Sequence, residues 1–371
     1  MKNHCYSVII AGGKGTRFWP LSRARRPKQL LRLFGSKSLI RETFDRVRPF
    51  SGQHQTLVVT VAEQLNPLLK ELRGVPRGNF LAEPQGQNTG PCIALAALEV
   101  TLRDPTAVMI ILPADHWVAD AGEFRRTLNA AVQLAGRTSL LITIGIPPEY
   151  PETGYGYIMK DKLFDGNKPT KIFRVKRFKE KPILAIARRL IRQGALWNSG
   201  IFVWKASTVL ELLRVYRPDI YQPLERIKLA ARGKTLAQPG PQLRAAMARE
   251  YRKMPNISID HGVLEQAGSA GRVLTLEGNF GWSDVGSWAA VHRMMRRDSE
   301  GNAGSGRWLG FDAKNCFVHS SNRLVALLGV ADLVVVDTPD ALLVGDLQRS
   351  QEVRDLVEGL KRRGYGAYTD K

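Results

Sequence analysis

Short apolar runs and amphipathic stretches alternate along this chain. Ser7 to Ala11, Thr56 to Thr60 and Val108 to Leu112 are mainly apolar runs of strand length, the pattern of strands buried on both faces. Between them, Leu39 to Val47 and Pro91 to Thr101 have helical spacing. Strand, helix, strand repetition with continuous apolar strands predicts an α/β fold, a mostly parallel sheet covered on both faces by helices. Ligands of such sheets bind at the carboxyl ends of the strands. Past residue 300 the texture changes to Gly301-Asn302-Ala303-Gly304-Ser305-Gly306, followed by strand-like runs at Leu324 to Leu328 and Leu333 to Val336 and helical spacing from Arg349 to Arg363. This predicts a large domain over 1–298 and a small β-rich C-terminal domain over 306–371. Strands with so little mass to cover them are expected to pack on the main domain or on a second subunit, the latter making a homodimer.

Composition changes the picture little: 371 residues, 44% hydrophobic and 24% charged, are ordinary for a globular protein and exclude collagen, coiled coil and wholesale disorder. No apolar run approaches the roughly 18 residues needed to span a bilayer. The first apolar stretch begins at Ser7, too early for a signal peptide. Cys5, Cys92 and Cys316 are scattered, giving neither a disulfide framework nor a metal spacing. A cytoplasmic protein with reduced thiols is expected.

Charge is the abnormal feature. Lysine and arginine number 55 against 34 acids, a formal +21, and the first fifty residues hold 12 basic residues and 2 acids. Such an excess suits nucleic acid, an acidic membrane face or a polyanionic small substrate, unless it is a bias spread over a solvated surface. No zinc-finger spacing, basic zipper or ribonucleoprotein motif supports nucleic acid, and neither nucleic acid nor membrane is expected as a partner.

What the basic region does contain is Ala11-Gly12-Gly13-Lys14-Gly15-Thr16-Arg17-Phe18-Trp19-Pro20-Leu21-Ser22, directly after the first strand. Three glycines in four positions let backbone N–H groups approach phosphate oxygens, and the Arg17 guanidinium offers a fork of donors. The same text would also make a tight strand-to-helix connection. It is neither a Walker A loop nor the Rossmann Gly-x-Gly-x-x-Gly, which removes P-loop kinases and dehydrogenases. Pro27-Lys28-Gln29 brings a second cation near this loop. Asp115 follows the run Val108 to Leu112, where a carboxylate can hold a cation but is also a common turn or capping residue.

The glycine-rich motif followed by Pro-Lys-Gln resembles the signature of the sugar-phosphate nucleotidylyltransferases, and its Trp-Pro-Leu-Ser form is similar to the guanylyltransferase branch that acts on mannose 1-phosphate. Further segments agree in that family's order: Glu83-Pro84 with Asn88-Thr89, Leu112-Pro113-Ala114-Asp115-His116, Thr153 to Ile158, Glu180-Lys181-Pro182, Trp197 to Phe202, Ser258-Ile259-Asp260 and Trp282 to Trp288. The resemblance implies a Rossmann-like nucleotidyltransferase fold and the transfer of GMP from GTP to mannose 1-phosphate, with Mg2+ as cofactor. It implies that Gly12, Gly13, Gly15 and Thr16 cradle the nucleotide, that Arg17 and Lys28 grip its phosphates, and that Asp115 and Asp284 hold the metal. Glu83, Asn88 and Thr89 would contact the nucleotide; Glu83 can accept two guanine N–H groups or anchor its own loop, and Asn88 and Thr89 can cap a helix. Glu180, Lys181 and Asn198 would bind the sugar phosphate, with Gly154 and Tyr155 closing over the ring. His116 could also ligate a metal, but beside oxygen-preferring Mg2+ it is expected to have a structural or hydrogen-bonding role, and Trp197, Trp204, Trp282 and Trp288 are expected to be packing residues. Gly90 and His261-Gly262 depart from the family text in segments that line the substrates. Ending at Lys371, the chain has no room for the fused isomerase domain of some members, so a single-function enzyme is expected. The competing readings are the same transfer with another sugar or base, or a silent nucleotide-sugar-binding regulator.

Overall fold

The computed structural model describes residues 4–13, 15–165 and 170–370; Lys14 of the glycine-rich motif lies outside them. The first half of the large domain runs β1 (Cys5–Ile10), α1 (Leu39–Ser51), β2 (Thr56–Val61), α2 (Ala62–Glu71), β3 (Phe80–Glu83), α3 (Thr89–Arg103), β4 (Val108–Pro113), β5 (Trp117–Val118), α4 (Ala121–Arg137) and β6 (Leu141–Ile146). There follow β7 (Tyr157–Asp165), β8 (Ile172–Lys179), α5 (Leu184–Arg192), β9 (Leu196–Lys205), α6 (Ala206–Tyr216), α7 (Pro218–Ala231), α8 (Pro241–Tyr251), α9 (Glu265–Ser269), β10 (Val273–Glu277), β11 (Trp282–Ser283) and α10 (Trp288–Met294). The remainder is β12 (Ala303–Ser305), β13 (Trp308–Phe311), β14 (Phe317–Ser320), β15 (Val325–Leu328), β16 (Leu333–Asp337), β17 (Leu342–Asp346), α11 (Val353–Arg362) and α12 (Ala367–Asp370).

Nine strands form one sheet in the order β3-β2-β1-β4-β9-β6-β10-β8-β7. β3, β2, β1 and β4 are mutually parallel, β6 and β10 run the same way, and β9 and β8 are reversed. The mostly parallel sheet expected from the sequence is thus present, with each apolar run at its predicted place. β1, β2 and β4 are buried almost throughout because both faces are covered. One face packs on α3, whose residues Gly90 to Val100 are all buried and therefore show no polar stripe. On the other face α1 and α4 lie over the sheet through Ile40, Phe44, Phe124 and Leu128. Capping fixes where these two helices start: Ser38 accepts from the Arg41 N–H, and Asp120 accepts from the N–H groups of Gly122 and Glu123.

In the C-terminal region β12, β14 and β16 stack in parallel register, as do β13 and β15, two faces of a parallel coil. Its apolar side does not stand alone. Phe317, Val334, Val336, Leu343, Leu347, Val353 and Val357 share one buried cluster with Phe18, Trp19, Leu31, Val285 and Trp288 of the large domain. Of the two packing arrangements expected for the tail, docking on the main domain is the one observed. Trp197, Trp204, Trp282 and Trp288 are all buried packing residues, as expected. Cys5, Cys92 and Cys316 are buried and unpaired. No helix among the described residues is long and apolar enough to cross a membrane.

Candidate active site

The loop after β1 is held open by bonds to its carbonyl groups. Gln29 Nε2 and Thr60 Oγ1 both donate to the Ala11 carbonyl, and Gln64 Nε2 donates to the Gly13 carbonyl. Among the described residues no hydrogen bond takes the N–H groups of Gly12, Gly13 or Gly15. A loop whose acceptors are engaged and whose donors are free is built for an anion. Gly15 is where glycine is obligatory: its φ is 63°, and a Cβ there would stand 2.2 Å from Lys28 Cβ. The missing side chain lets the Pro27-Lys28-Gln29 segment lie directly against the loop.

Lys28 is 7% exposed, and its Nζ donates to the Asp284 carbonyl at 2.5 Å and pairs with Asp115 Oδ2 at 2.9 Å. Asp115 follows β4 and Asp284 follows β11, so three distant segments converge at one ammonium. Burial works against ionisation of Asp115, but the charge of Lys28 together with His116 and the hydrogen bonds from Lys28 and the backbone outweighs it, holding the carboxyl below its ordinary value. Gly15, Thr16, Arg17, Lys28, Asp115, His116 and Asp284 line one cavity of about 480 Å³. Arg17 is exposed at it and makes no ion pair among the described residues. His116 is pushed down to about 4, chiefly by burial, and is neutral at pH 7. Its Nδ1 accepts from Trp282 Nε1 at 3.2 Å, the hydrogen-bonding role the sequence suggested.

A second cavity of about 530 Å³ lies on the other side of the loop, between Gly12, Thr16, Gln64, Pro84 and Gly86 and the end of the chain. Ser22, the last residue of the glycine-rich motif, lines it with a buried Oγ that has no partner among the described residues. Glu83 stands nearby, 4% exposed; its Oε1 accepts a very short hydrogen bond from the Tyr251 hydroxyl, and its Oε2 faces Gly12. Burial pushes this carboxyl up to about 7. The hydrogen bonds at Asn88 and Thr89 are structural: Asn88 Oδ1 accepts from the Thr89 N–H at the start of α3, and Thr89 Oγ1 accepts from the Ile259 N–H. Neither lines the two cavities.

Glu180, Asn198 and Gly156 meet in a third group, where a Cβ on Gly156 would strike the Glu180 carboxylate. Asn198 Nδ2 donates to Asp260 Oδ1 at 2.7 Å, and Asp260 is pushed up to about 6 by burial and then by the charge of Glu180. Asp260 was visible in sequence only as the last letter of Ser-Ile-Asp, with no role attached. Lys181 is exposed and its Nζ rests on Glu180 Oε1 at 2.5 Å. The Gly154 N–H donates to Glu152. Tyr155, which the resemblance puts with Gly154 over the sugar ring, has packing and hydrogen-bond contacts of its own. It is buried edge-on against Trp197 and Trp282, and its hydroxyl donates to Asp284 Oδ1 at 2.7 Å. Burial and the Asp284 charge both raise the Tyr155 pKa, so the phenol stays a donor. Its carbonyl accepts from the Lys181 N–H, tying the third group to the phosphate cleft.

The chain is similar to known proteins over nearly its whole length. Residues 6–301 match the nucleotidyl transferase family and residues 306–360 the mannose-phosphate isomerase/GMP-like β-helix domain. The chain is 36% identical to the mannose-1-phosphate guanylyltransferase of Escherichia coli K12 over 97% of its own length and 74% of the relative's. It is 38% identical to the xanthan biosynthesis protein XanB of Xanthomonas campestris over 96% of its length and 73% of that protein's. A crystal structure of a mannose-1-phosphate geranyltransferase from Thermus thermophilus superimposes with a TM-score of 0.84 at 34% identity, covering 96% of this chain and 99% of that one. The chain belongs to the nucleotidyl transferase family, in its mannose-1-phosphate guanylyltransferase branch.

Proposed function

We propose that this enzyme transfers GMP from GTP to α-mannose 1-phosphate in the cytoplasm, giving GDP-mannose and pyrophosphate. The observation that carries the reading is the convergence of Arg17, Lys28, Asp115 and Asp284 on one cleft beside free loop N–H groups. An oxygen of the sugar phosphate attacks the α-phosphorus in line; the bond to the β-phosphate oxygen breaks, and that oxygen leaves with the electron pair as pyrophosphate. The nucleophile is already an anion, so the chain's task is to position two polyanions and neutralise developing charge. His116, made a weak base by burial and with its Nδ1 engaged by Trp282, is in keeping with a reaction that asks for no general base. Glu180, Asn198 and Asp260 offer the carboxylate and amide groups that bind sugar hydroxyls.

Asp115 and Asp284 would hold Mg2+. Both donors are oxygens on the same cleft, and no group of three or more His, Cys, Asp or Glu suited to a metal exists among the described residues. Two carboxylates without a full protein cage suit a hard cation that keeps its waters and takes substrate phosphates as ligands. When bound, the ion supplies positive charge where negative charge accumulates. Tyr155 orients Asp284 for this, and Lys28 holds Asp115 in the meantime. The test is a pyrophosphate-release panel of four nucleoside triphosphates against several sugar 1-phosphates with Mg2+ present. GTP with mannose 1-phosphate should give the highest kcat/KM; a higher value for another pair, or no release with any, overturns the assignment.

A further inference from the structure

The two cavities around the Gly12–Thr16 loop share a wall that the large domain does not supply. Helix α11 leaves the β-helix domain and crosses the turn Thr16–Phe18, pinned there by Val353 and Val357 in the cluster that also buries Phe18 and Trp19. Residues four apart on a helix lie one above the other on the same face. Arg354 and Glu358 accordingly face the cavity of Arg17, Lys28, Asp115 and Asp284, and Val357 and Lys361 face the cavity beside Gly12 and Gln64. Two neighbouring cations are paired: Arg349 with Glu352 at 2.6 Å and Lys361 with Asp370 at 3.0 Å. The Arg354 side chain has no ion pair or hydrogen bond among the described residues, although Glu358 is one turn away. Depth in the cleft orders the groups. Lys28, buried between the two aspartates, marks the closed end where a reacting phosphorus belongs; Arg17 and Arg354 are exposed at the mouth.

We propose that Arg354 is a substrate-binding residue of the nucleotide site, gripping the β- and γ-phosphates of the triphosphate, and therefore the pyrophosphate that leaves, from the side opposite the loop. The β-helix domain is then part of the active site and not only its support. A guanidinium donates two parallel N–H bonds to a phosphate and takes no proton in return, so its contribution is charge and geometry alone. Glu358 on the same wall opposes it by repelling the same anion. This inference rests on the nucleotidyl-transfer reading above.

The experiment uses the full chain in both directions of reaction, with Arg354→Ala, Arg354→Lys and Glu358→Gln. Arg354→Ala should raise the KM for GTP, and for pyrophosphate in the reverse reaction, about tenfold, the loss of one charge-assisted contact at an open cleft. The KM for mannose 1-phosphate and the thermal midpoint should stay unchanged. Arg354→Lys should recover part of the loss, and Glu358→Gln should lower the KM for pyrophosphate. Direct titration should show weakened binding of GTP and pyrophosphate with GMP binding preserved. Unchanged KM values for GTP and pyrophosphate, or an equal loss for GMP, overturn the proposal. A wild-type chain that turns over in neither direction refutes the nucleotidyl-transfer reading, and pyrophosphate binding by wild type and Arg354→Ala still decides the role of Arg354.

Discussion

Phe317 lies in β14, touches no candidate substrate group, and yet should govern the phosphate loop. Its ring is 2% exposed and stacks on Trp288 with centroids 5.3 Å apart and planes at 26°. Trp288 meets Phe18 edge-on at 4.9 Å, and Phe18 is the immediate neighbour of Arg17, with the Lys28 ammonium 5.7 Å from its ring. Phe317→Ala empties the far end of this stack, beneath Trp288. Truncating a fully buried phenylalanine costs about 3–5 kcal/mol, of which the lost aromatic pairing is about 0.5–1.5. With an unfolding entropy of about 2.1 cal/mol/K per residue, a cooperative unit of this length has roughly 0.8 kcal/mol/K, so the thermal midpoint should fall by about 5 °C. Because the cavity opens beneath Trp288, against which Phe18 rests, the loop should lose its fixed position before the domain unfolds. The KM for GTP should therefore rise several-fold while that for mannose 1-phosphate moves little, and Phe317→Leu should fall between. Calorimetry and initial-rate kinetics on the same preparation check both halves. An unchanged midpoint would show that the cluster contributes no stability; a lowered midpoint with equal shifts in the two KM values would show that the stack does not position the loop.

Three further outcomes are expected. Arg17→Ala and Lys28→Ala should each lower turnover by on the order of 100-fold at saturating sugar phosphate; near-normal rates in both would remove these cations from the reaction. Asp284→Asn keeps the shape and loses the charge, so it should cut turnover and raise the Mg2+ requirement, while Ser283→Ala, which removes only an acceptor for the Val285 N–H, should matter far less; equal Mg2+ dependence in Asp284→Asn and wild type would make the carboxylate a turn residue. Glu83, raised from 4.5 to about 7 by burial, makes the folded state bind more protons than the unfolded chain, so its effect on stability is most favourable below pH about 4.5 and is lost as pH rises through about 7. The loss is on the order of 3 kcal/mol, and denaturant melts at two pH values on either side of this window should show a larger fall for wild type than for Glu83→Gln; parallel falls would refute the shift.

Much of this protein was determined by local sequence. Continuous apolar runs of strand length suit strands covered on both faces, and β1, β2 and β4 are found where those runs lie. Gly15 and Lys28 also declare themselves, since a glycine-rich turn after a strand and a nearby lysine are short-range signals. What the linear text could not contain is direction and depth. The same apolar pattern serves a parallel or a reversed strand, so the reversal of β9 between β4 and β6 follows only from how the chain returns across the sheet. Tyr155 reads as one aromatic in a turn, and its bond to Asp284, 129 positions away, exists because Trp197 and Trp282 leave its ring a single slot. Arg354 reads as one basic residue on an amphipathic helix. Its place at the phosphate cleft was decided by tertiary structure alone, because the apolar side of the β-helix could be buried only against Phe18, Trp19 and Trp288, and that burial laid the helix across the loop.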